Sequence, residues 1–252
     1  SKIGSVWQDV SSSLPSGTIT SDGSTDFYDA HEKKDVQNTQ VDVSLLKSSG
    51  YFPSNGIVYI SDQRSKSSGE LNGTSLVNGE ELGRPLTFVC ENPLYVQGDY
   101  NTVNKQPAAT ISDAVTFLSN DWDPSLSTNK YSDRKASKTE VNLSIVTGDI
   151  EPNSGNYGGG LENLPRFLED WNGTEFKVRG SMVQMWRSQE ANGEWRYIQS
   201  KDAYYSAPTR NWGFDTDLED MSKLPPGTPM VRVFLRTGWK QEDVVYTNQD
   251  GL

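Results

Sequence analysis

Aromatic side chains are concentrated in residues 156–246, and this concentration constrains the fold more than any other feature of the sequence. Five of the seven tryptophans lie there: Trp171, Trp186, Trp195, Trp212 and Trp239. Aromatic rings bury a large apolar area with few rotatable bonds, so such a density marks a hydrophobic core or a recognition face. Residues 176–186 and 229–236 also alternate as strands do. We therefore expect a rigid module that is rich in β-structure.

Short apolar runs that are separated by turn residues occur through the rest of the chain. Residues 57–60, 86–89 and 94–97 have the composition of strands, and Asn-Gly and Asn-Pro pairs separate such runs. The 252 residues include 22 Gly and 12 Pro, which fits an architecture with many turns. The prediction is a mainly β fold with a β-solenoid or β-helix-like core, and a β-sandwich is the alternative.

The periodicity becomes helical in two places. Apolar residues at 111, 114, 115, 118 and 122 follow the i, i+3/i+4 spacing of an amphipathic helix, which predicts a short helix near 108–122. A second short helix is predicted near 164–171, where Pro165 suits the first turn and Asn172-Gly173 suits the end.

The charge of the chain limits its partners. The formal net charge is -11 and the pI is about 4.6, so nucleic acid is not an expected partner. No apolar window is long enough to span a membrane. The one cysteine, Cys90, lies in an apolar run and is predicted to be buried. One histidine, His31, leaves no basis for a multi-histidine metal site.

Carboxylates offer two kinds of candidate chemistry. Glu162 and Glu169 would lie on one face of a helix, as a glycosidase pair could, but an ordinary surface pair with Arg166 as partner is favoured. We therefore predict no catalytic residue and no enzyme. The acidic run with Asp215, Asp217 and Glu219 could supply oxygen ligands to Ca²⁺, although a solvated acidic turn is the favoured interpretation.

Two further segments have a functional and a structural interpretation. Gly158-Gly159-Gly160 could offer backbone N–H groups to an anion, but a turn that needs positive φ is favoured. Exposed rings could form an interface or stack on sugars. These candidate binding residues are Trp212, Arg210, Trp239, Tyr204 and Tyr205.

Several motifs resemble one group of bacterial surface proteins. They are Asn92-Pro-Leu-Tyr-Val-Gln-Gly-Asp-Tyr-Asn101, Gly159-Gly-Leu-Glu-Asn-Leu-Pro-Arg-Phe-Leu-Glu-Asp-Trp171 and the segment 224–243. Residues 85–246 are similar to the C-terminal part of the cyanobacterial hormogonium polysaccharide secretion protein A family, which is related to PilX-like pilus-associated proteins. Residues 1–84 do not contribute to the likeness. We nevertheless expect residues 1–252 to form one extracellular β-rich domain, of which residues 1–84 are the variable N-terminal part.

The resemblance implies a cell-surface protein that is tied to gliding motility and polysaccharide secretion. Members of the family carry an N-terminal pilin-like hydrophobic segment that this sequence does not show, so the resemblance implies a C-terminal piece. The expected function is that of a structural subunit of a surface fibril or pilus-associated layer, which self-associates into filaments. The alternatives are a polysaccharide-binding or pilus-tip adhesin module, with calcium as a candidate cofactor, and a polysaccharide-modifying enzyme.

Overall fold

The structure is a computed structural model that describes residues 2–3, 6–7, 11–151, 158–196, 203–230, 238 and 240. The first strands along the chain are β1 (Lys2–Ile3), β2 (Val6–Trp7), β3 (Ile19–Thr20), β4 (Phe27–Asp29), β5 (Lys34–Asp42), β6 (Ile57–Ile60), β7 (Glu70–Val77), β8 (Leu86–Cys90) and β9 (Leu94–Gln97). They are followed by β10 (Ala108–Ser112), β11 (Val115–Leu118), β12 (Thr139–Asn142), β13 (Ser144–Asp149), β14 (Pro165–Phe167), β15 (Glu175–Gly180), β16 (Met182–Arg187) and β17 (Thr209–Phe214).

Helices are short in the described part of the chain. The α-helix α1 spans Val43–Ser48, and Asp42 caps it by accepting a hydrogen bond from the Leu45 N–H group. The 3-10 helices are Ser11–Ser13, Pro124–Leu126, Tyr131–Asp133, Gly160–Asn163, Thr216–Glu219 and Met221–Lys223.

The described strands form four sheets, and strands that follow one another in the chain often belong to different sheets. The seven-stranded sheet has the order β14-β11-β9-β7-β5-β3, with β4 also paired to β5. The five-stranded sheet has the order β16-β13-β10-β8-β6, and the three-stranded sheet has the order β12-β15-β17. Strands β1 and β2 form a separate pair. All pairs in the five-stranded and three-stranded sheets are parallel, and β3 and β4 pair with β5 in the antiparallel sense.

The fold class predicted from the sequence, a β-solenoid with a β-sandwich as the alternative, is wrong. The described residues form a mixed α/β structure with layers of parallel sheet, 12% helix, and neither a closed barrel nor a solenoid. A β-sandwich packs two antiparallel sheets, whereas most pairs here are parallel. A solenoid stacks units of similar length, whereas the main strands of the seven-stranded sheet begin unevenly, at residues 34, 70, 94, 115 and 165.

Both predicted helices are also wrong. Residues 108–122 contain β10 and β11, which a turn at Asp113 separates, and residues 164–171 contain β14. Strands that are buried on both faces carry apolar side chains at every position and so lose the period of two. All four residues of β11 are buried and three of them are apolar, so the apolar residues of this segment imitate one face of a helix.

Individual strand predictions agree better with the structure. Residues 57–60 are β6, residues 94–97 are β9, and residues 86–89 lie in β8. The predicted strand at 176–186 is divided into β15 and β16, and most of the predicted strand at 229–236 lies outside the described residues. Cys90 is buried, as predicted, and burial raises the pKa of its thiol to about 12.

Aromatic rings from the C-terminal half of the chain pack in the core beside rings from the N-terminal half. Phe176 lies with its ring centroid 5.0 Å from Phe117, 5.2 Å from Phe167 and 5.5 Å from Trp171. Trp171 and Phe176 are fully buried. Burying such a side chain stabilises the fold by roughly 1.5–3 kcal/mol. Part of the predicted aromatic density is therefore core.

Candidate functional site

Strand β17 carries two of the predicted interface residues at the outer edge of the three-stranded sheet. The guanidinium carbon of Arg210 lies 5.0 Å from the ring centroid of Trp212, which is a cation–π contact. The Arg210 Nη2 atom is also 3.7 Å from Glu162 Oε1, and both of these side chains are about half exposed. Arg210 and Trp212 therefore form one small surface cluster.

The register of the sheet explains why this cluster is exposed. Trp212 is aligned with Val178 and Val141 on the neighbouring strands, and both of those side chains are buried in the core. Arg210 is aligned in the same way with buried Phe176. Trp212 therefore continues a core-facing row. It is partly exposed because no described strand of the three-stranded sheet lies beyond β17.

An apolar row crosses the outward face of the five-stranded sheet. The pairing register aligns Tyr59, Val89, Ile111, Val146 and Val183, one residue from each strand. Each of these residues is at least partly exposed, whereas Val58, Phe88 and Ile145, which alternate with them, are better covered by the core. The row ends on exposed side chains, with Tyr59 56% and Val183 37% exposed.

The two outer strands of this sheet have free edges among the described residues. No described strand pairs with the outer side of β6 or of β16. Such an edge presents unpaired N–H and C=O groups, which can pair with a strand from another chain. The apolar side chains of Met185 on β16 and Phe214 on β17 are also exposed, at 66% and 56%. The β16–β17 end of the molecule therefore carries exposed apolar side chains beside strand edges with which no described strand pairs.

The other predicted binding residues lie elsewhere. Tyr204 and Tyr205 are buried, at 3% and 7% exposure. The Tyr204 ring stacks on the His31 ring at 4.6 Å, and its carbonyl oxygen accepts a hydrogen bond of 2.9 Å from Arg134 Nη2. These two rings offer no open stacking face. Trp239 lies outside the residues that the structure describes.

The acidic residues considered for calcium are held by lysines. Lys105 Nζ is 2.9 Å from Asp215 Oδ1 and 2.6 Å from Asp217 Oδ2, and Lys223 Nζ is 2.7 Å from Asp217 Oδ1. Hydrogen bonds from the two lysines lower the pKa of Asp217 to about 2. Glu219 is exposed on the same turn. Within the described ranges, no group of three or more His, Cys, Asp or Glu side chains is arranged to hold a metal ion.

A buried ion pair between Glu32 and Arg166 joins the β4–β5 connection to β14. Glu32 Oε1 accepts a hydrogen bond of 2.8 Å from Arg166 Nη1, and Glu32 Oε2 accepts one of 2.6 Å from the Gly193 N–H group. Arg166 Nη2 donates to the Ala191 carbonyl oxygen at 3.0 Å. Burial raises the pKa of Glu32, and the charge of Arg166 opposes this rise. These charges join distant segments of the chain and have almost no solvent contact.

The carboxylates considered for glycosidase chemistry have different surroundings. Glu162 is exposed, whereas Glu169 is fully buried and accepts hydrogen bonds from the backbone and hydroxyl groups of Ser119, both at 2.6 Å. Burial raises the pKa of Glu169 to about 7. The prediction that Arg166 pairs with one of these two residues is wrong, because it pairs with Glu32.

The glycine run is a turn. Gly159 and Gly160 have φ values of +77° and +55°, and a Cβ atom on Gly159 would lie 2.8 Å from the Trp195 ring. Both observations confirm the structural interpretation, because only glycine takes this backbone region and this close contact without strain.

Sequence reasoning missed the residues that depend on long-range pairing. Glu32, Lys105 and Lys223 were not singled out, since each acquires its role from a partner distant in the sequence or across a turn. Met185 and Phe214 had a detectable signal, since both lie in runs with strand-like composition next to candidate residues.

Two findings bear on the wider identity of the chain. In the part of the chain that the structure describes, no helix has the length and apolar character needed to cross a membrane. No family model, curated protein or solved structure matches the chain. The function is therefore inferred from the sheet edges and the surface residues described above.

Proposed function

We propose that this chain is a non-enzymatic structural subunit of an extracellular assembly, whose copies associate end to end through open sheet edges. In the fuller form of the proposal, the assembly is a surface fibril or pilus-associated layer that supports gliding motility and polysaccharide secretion in a filamentous cyanobacterium. That fuller form is supported by the sequence resemblance alone, whereas the self-association is supported by the surface of the molecule.

The observation that carries the proposal is the apolar row that crosses the five-stranded sheet. It ends at Tyr59 on β6 and at Val183 on β16, the two outermost strands of this sheet among the described residues. If β16 of one copy pairs with β6 of the next in the same register, Val183 lies beside Tyr59 of the neighbour. An aromatic residue beside a β-branched residue buries apolar surface of both side chains, which favours the contact. The row then continues from copy to copy.

Strand direction supports this head-to-tail arrangement. Strands β6 and β16 belong to one sheet in which every pair is parallel, so both run in the same direction. A copy added beyond β16 in the same orientation therefore presents β6 as a parallel partner. Contacts between two different surfaces of one chain produce open filaments when the rotation between copies does not close a ring.

The positions of the charged residues support a role without catalysis. The buried pair of Arg166 with Glu32 and the hydrogen bonds of Glu169 with Ser119 each tie together separate parts of the fold. Glu162, the other carboxylate considered for glycosidase chemistry, is exposed and faces Arg210. The alternative of a sugar-stacking surface has less support, because Tyr204 and Tyr205 are buried.

Electron microscopy of the purified chain over a range of protein concentrations tests the proposal. We expect filaments with a regular subunit repeat, and we expect Val183→Lys to abolish them because it places a charge in the contact. The matched control is Val103→Lys, since Val103 is 47% exposed and lies outside every strand. Monodisperse single particles at every concentration, or equal filament formation by both variants, would overturn the proposal.

A further inference from the structure

A cavity of about 260 Å³ lies beneath the segment that follows β17. Its walls come from three parts of the chain: the segment leading into β10, the turn between β12 and β13, and the two 3-10 helices at 216–223. The polar lining includes Lys105, Asn142, Asp215, Asp217 and Lys223. The volume is below the roughly 300–1,000 Å³ of sites for drug-sized ligands, so it suits one ring rather than several.

The charges of this lining balance. Lys105 contacts both Asp215 and Asp217, and Lys223 contacts Asp217, which gives two ammonium groups and two carboxylates. A free cation would have to compete with the lysines, and a free anion would have to compete with the aspartates. The cavity therefore favours a ligand without net charge.

The hydrogen-bonding capacity of the lining further narrows the ligand class. Carboxylates only accept hydrogen bonds and ammonium groups only donate them, whereas a hydroxyl group does both. A ring that carries several hydroxyl groups can therefore satisfy both kinds of group at once. Pro107, Ala108, Leu143 and Leu218 form the apolar part of the wall, which suits the C–H face of such a ring, and Gln106 and Ser144 add two more polar residues to the lining.

We propose that this cavity binds one neutral sugar ring of a glycan. The Lys223, Asp215 and Asp217 side chains hydrogen-bond its hydroxyl groups with the donors and lone pairs that the ion pairs leave unused, and Leu218 packs against its carbon face. The site does not involve β6, β16 or the apolar row, so it is independent of the proposed self-association. It also differs from the ring-stacking surface predicted from the sequence, because no aromatic side chain is among its lining residues.

Ligand-observed NMR and titration calorimetry with monosaccharides test the proposal. The probes are glucose, galactose, mannose and fucose, together with glucuronate and glucosamine as charged counterparts. We expect at least one neutral sugar to bind at about millimolar affinity, which corresponds to roughly -4 kcal/mol. Glucuronate and glucosamine, which carry a charge, should bind at least several-fold more weakly than the neutral sugar that binds best.

Two variants locate the binding. Asp217→Asn removes the carboxylate shared by the lysines, and Leu218→Trp fills the cavity while leaving the ion pairs in place. Both should abolish the sugar signal, whereas Glu219→Gln, which removes an exposed charge from the same 3-10 helix, should retain it. Thermal unfolding of each variant checks that the fold is kept.

Two results would overturn the proposal. One is the absence of a signal from every neutral sugar with the unmodified chain. The ion pairs would then only hold residues 215–223 in place. The other is binding that survives both Asp217→Asn and Leu218→Trp. Sedimentation of the same samples reports separately on self-association, so a failure of one proposal does not imply a failure of the other.

Discussion

Arg166 and Glu32 are 134 positions apart in the chain and form an ion pair of 2.8 Å in which the two side chains are 3% and 1% exposed. Arg166 lies on β14, at one edge of the seven-stranded sheet, and Glu32 lies in the connection between β4 and β5 near the other edge. The pair therefore holds the connection between β4 and β5 against β14, which comes much later in the chain.

Breaking this pair from one side should destabilise the fold strongly. Arg166→Met leaves the Glu32 carboxylate buried without its charged partner, which typically costs about 3–5 kcal/mol. Urea unfolding measures the loss. Adding Glu32→Gln to Arg166→Met should recover part of it, since the double variant buries no charge at this place. A loss below about 1 kcal/mol for Arg166→Met would contradict the account, because surface changes have effects of that size.

Glu169 should make stability depend on pH near neutrality. Burial raises its pKa from an ordinary value of 4.5 to about 7, so the folded state holds this proton at pH values where the unfolded state has released it. Its contribution is present below pH 4.5 and is lost as the pH rises through 7, by about 3 kcal/mol in total.

Replacing Glu169 with Gln isolates this contribution, because the amide does not titrate. The difference in free energy of unfolding between Glu169→Gln and the unmodified chain should change steadily between pH 4.5 and 7.5. Parallel curves over that range would show that the Glu169 pKa is not raised. Aspartates such as Asp42 and Asp62, whose pKa values are lowered in the folded state, lose their contribution only at lower pH.

Gly180 should tolerate no side chain. A Cβ atom at this position would lie 2.0 Å from the Leu143 carbonyl oxygen, where β15 passes the turn between β12 and β13. Gly180→Ala forces these two backbone segments apart, and overpacking of this kind costs about 1–3 kcal/mol. The matched control is Gly69→Ala, since a Cβ atom on Gly69 meets nothing within 4 Å. Equal melting temperatures for the two variants would contradict the packing described here.

Calcium should leave the melting temperature unchanged. Asp215 and Asp217, the carboxylates that could bind it, are already paired with Lys105 and Lys223. Thermal unfolding with added calcium and with a chelator measures the effect. A ligand present at 100 times its dissociation constant stabilises a fold by about 2.7 kcal/mol, so a clear rise in melting temperature would reveal a calcium site.

The parts of the fold that could be predicted from the sequence are local. Strand β6 and buried Cys90 follow from short apolar runs between turn residues. The helix predicted near 108–122 was wrong because Val115–Leu118 is buried on both faces, so its apolar residues are not confined to alternate positions. Local patterns also could not separate a solenoid or a sandwich from layered parallel sheets, because all three are built from short strands between turns.

The features of the proposed interface depend on register, which the sequence does not contain. Tyr59 and Val183 share a row only because four successive parallel pairings align them. A shift of one residue in any pairing would move the row to the other face of the sheet. The cluster of Arg210 and Trp212, by contrast, could be proposed from composition alone, because both residues lie on one short strand.

Disulfide trapping between two single variants tests the central claim most directly. Tyr59→Cys and Val183→Cys are prepared separately, and native Cys90 is buried in both. In the proposed parallel contact the two new side chains lie side by side on adjacent strands, which are about 4.8 Å apart, within the range of Cα separations that a disulfide spans. The account predicts a covalent dimer when the two variants are mixed and oxidised, and none with either variant alone. A covalent dimer formed by either variant alone, or no dimer in the mixture, would contradict head-to-tail pairing of β16 with β6.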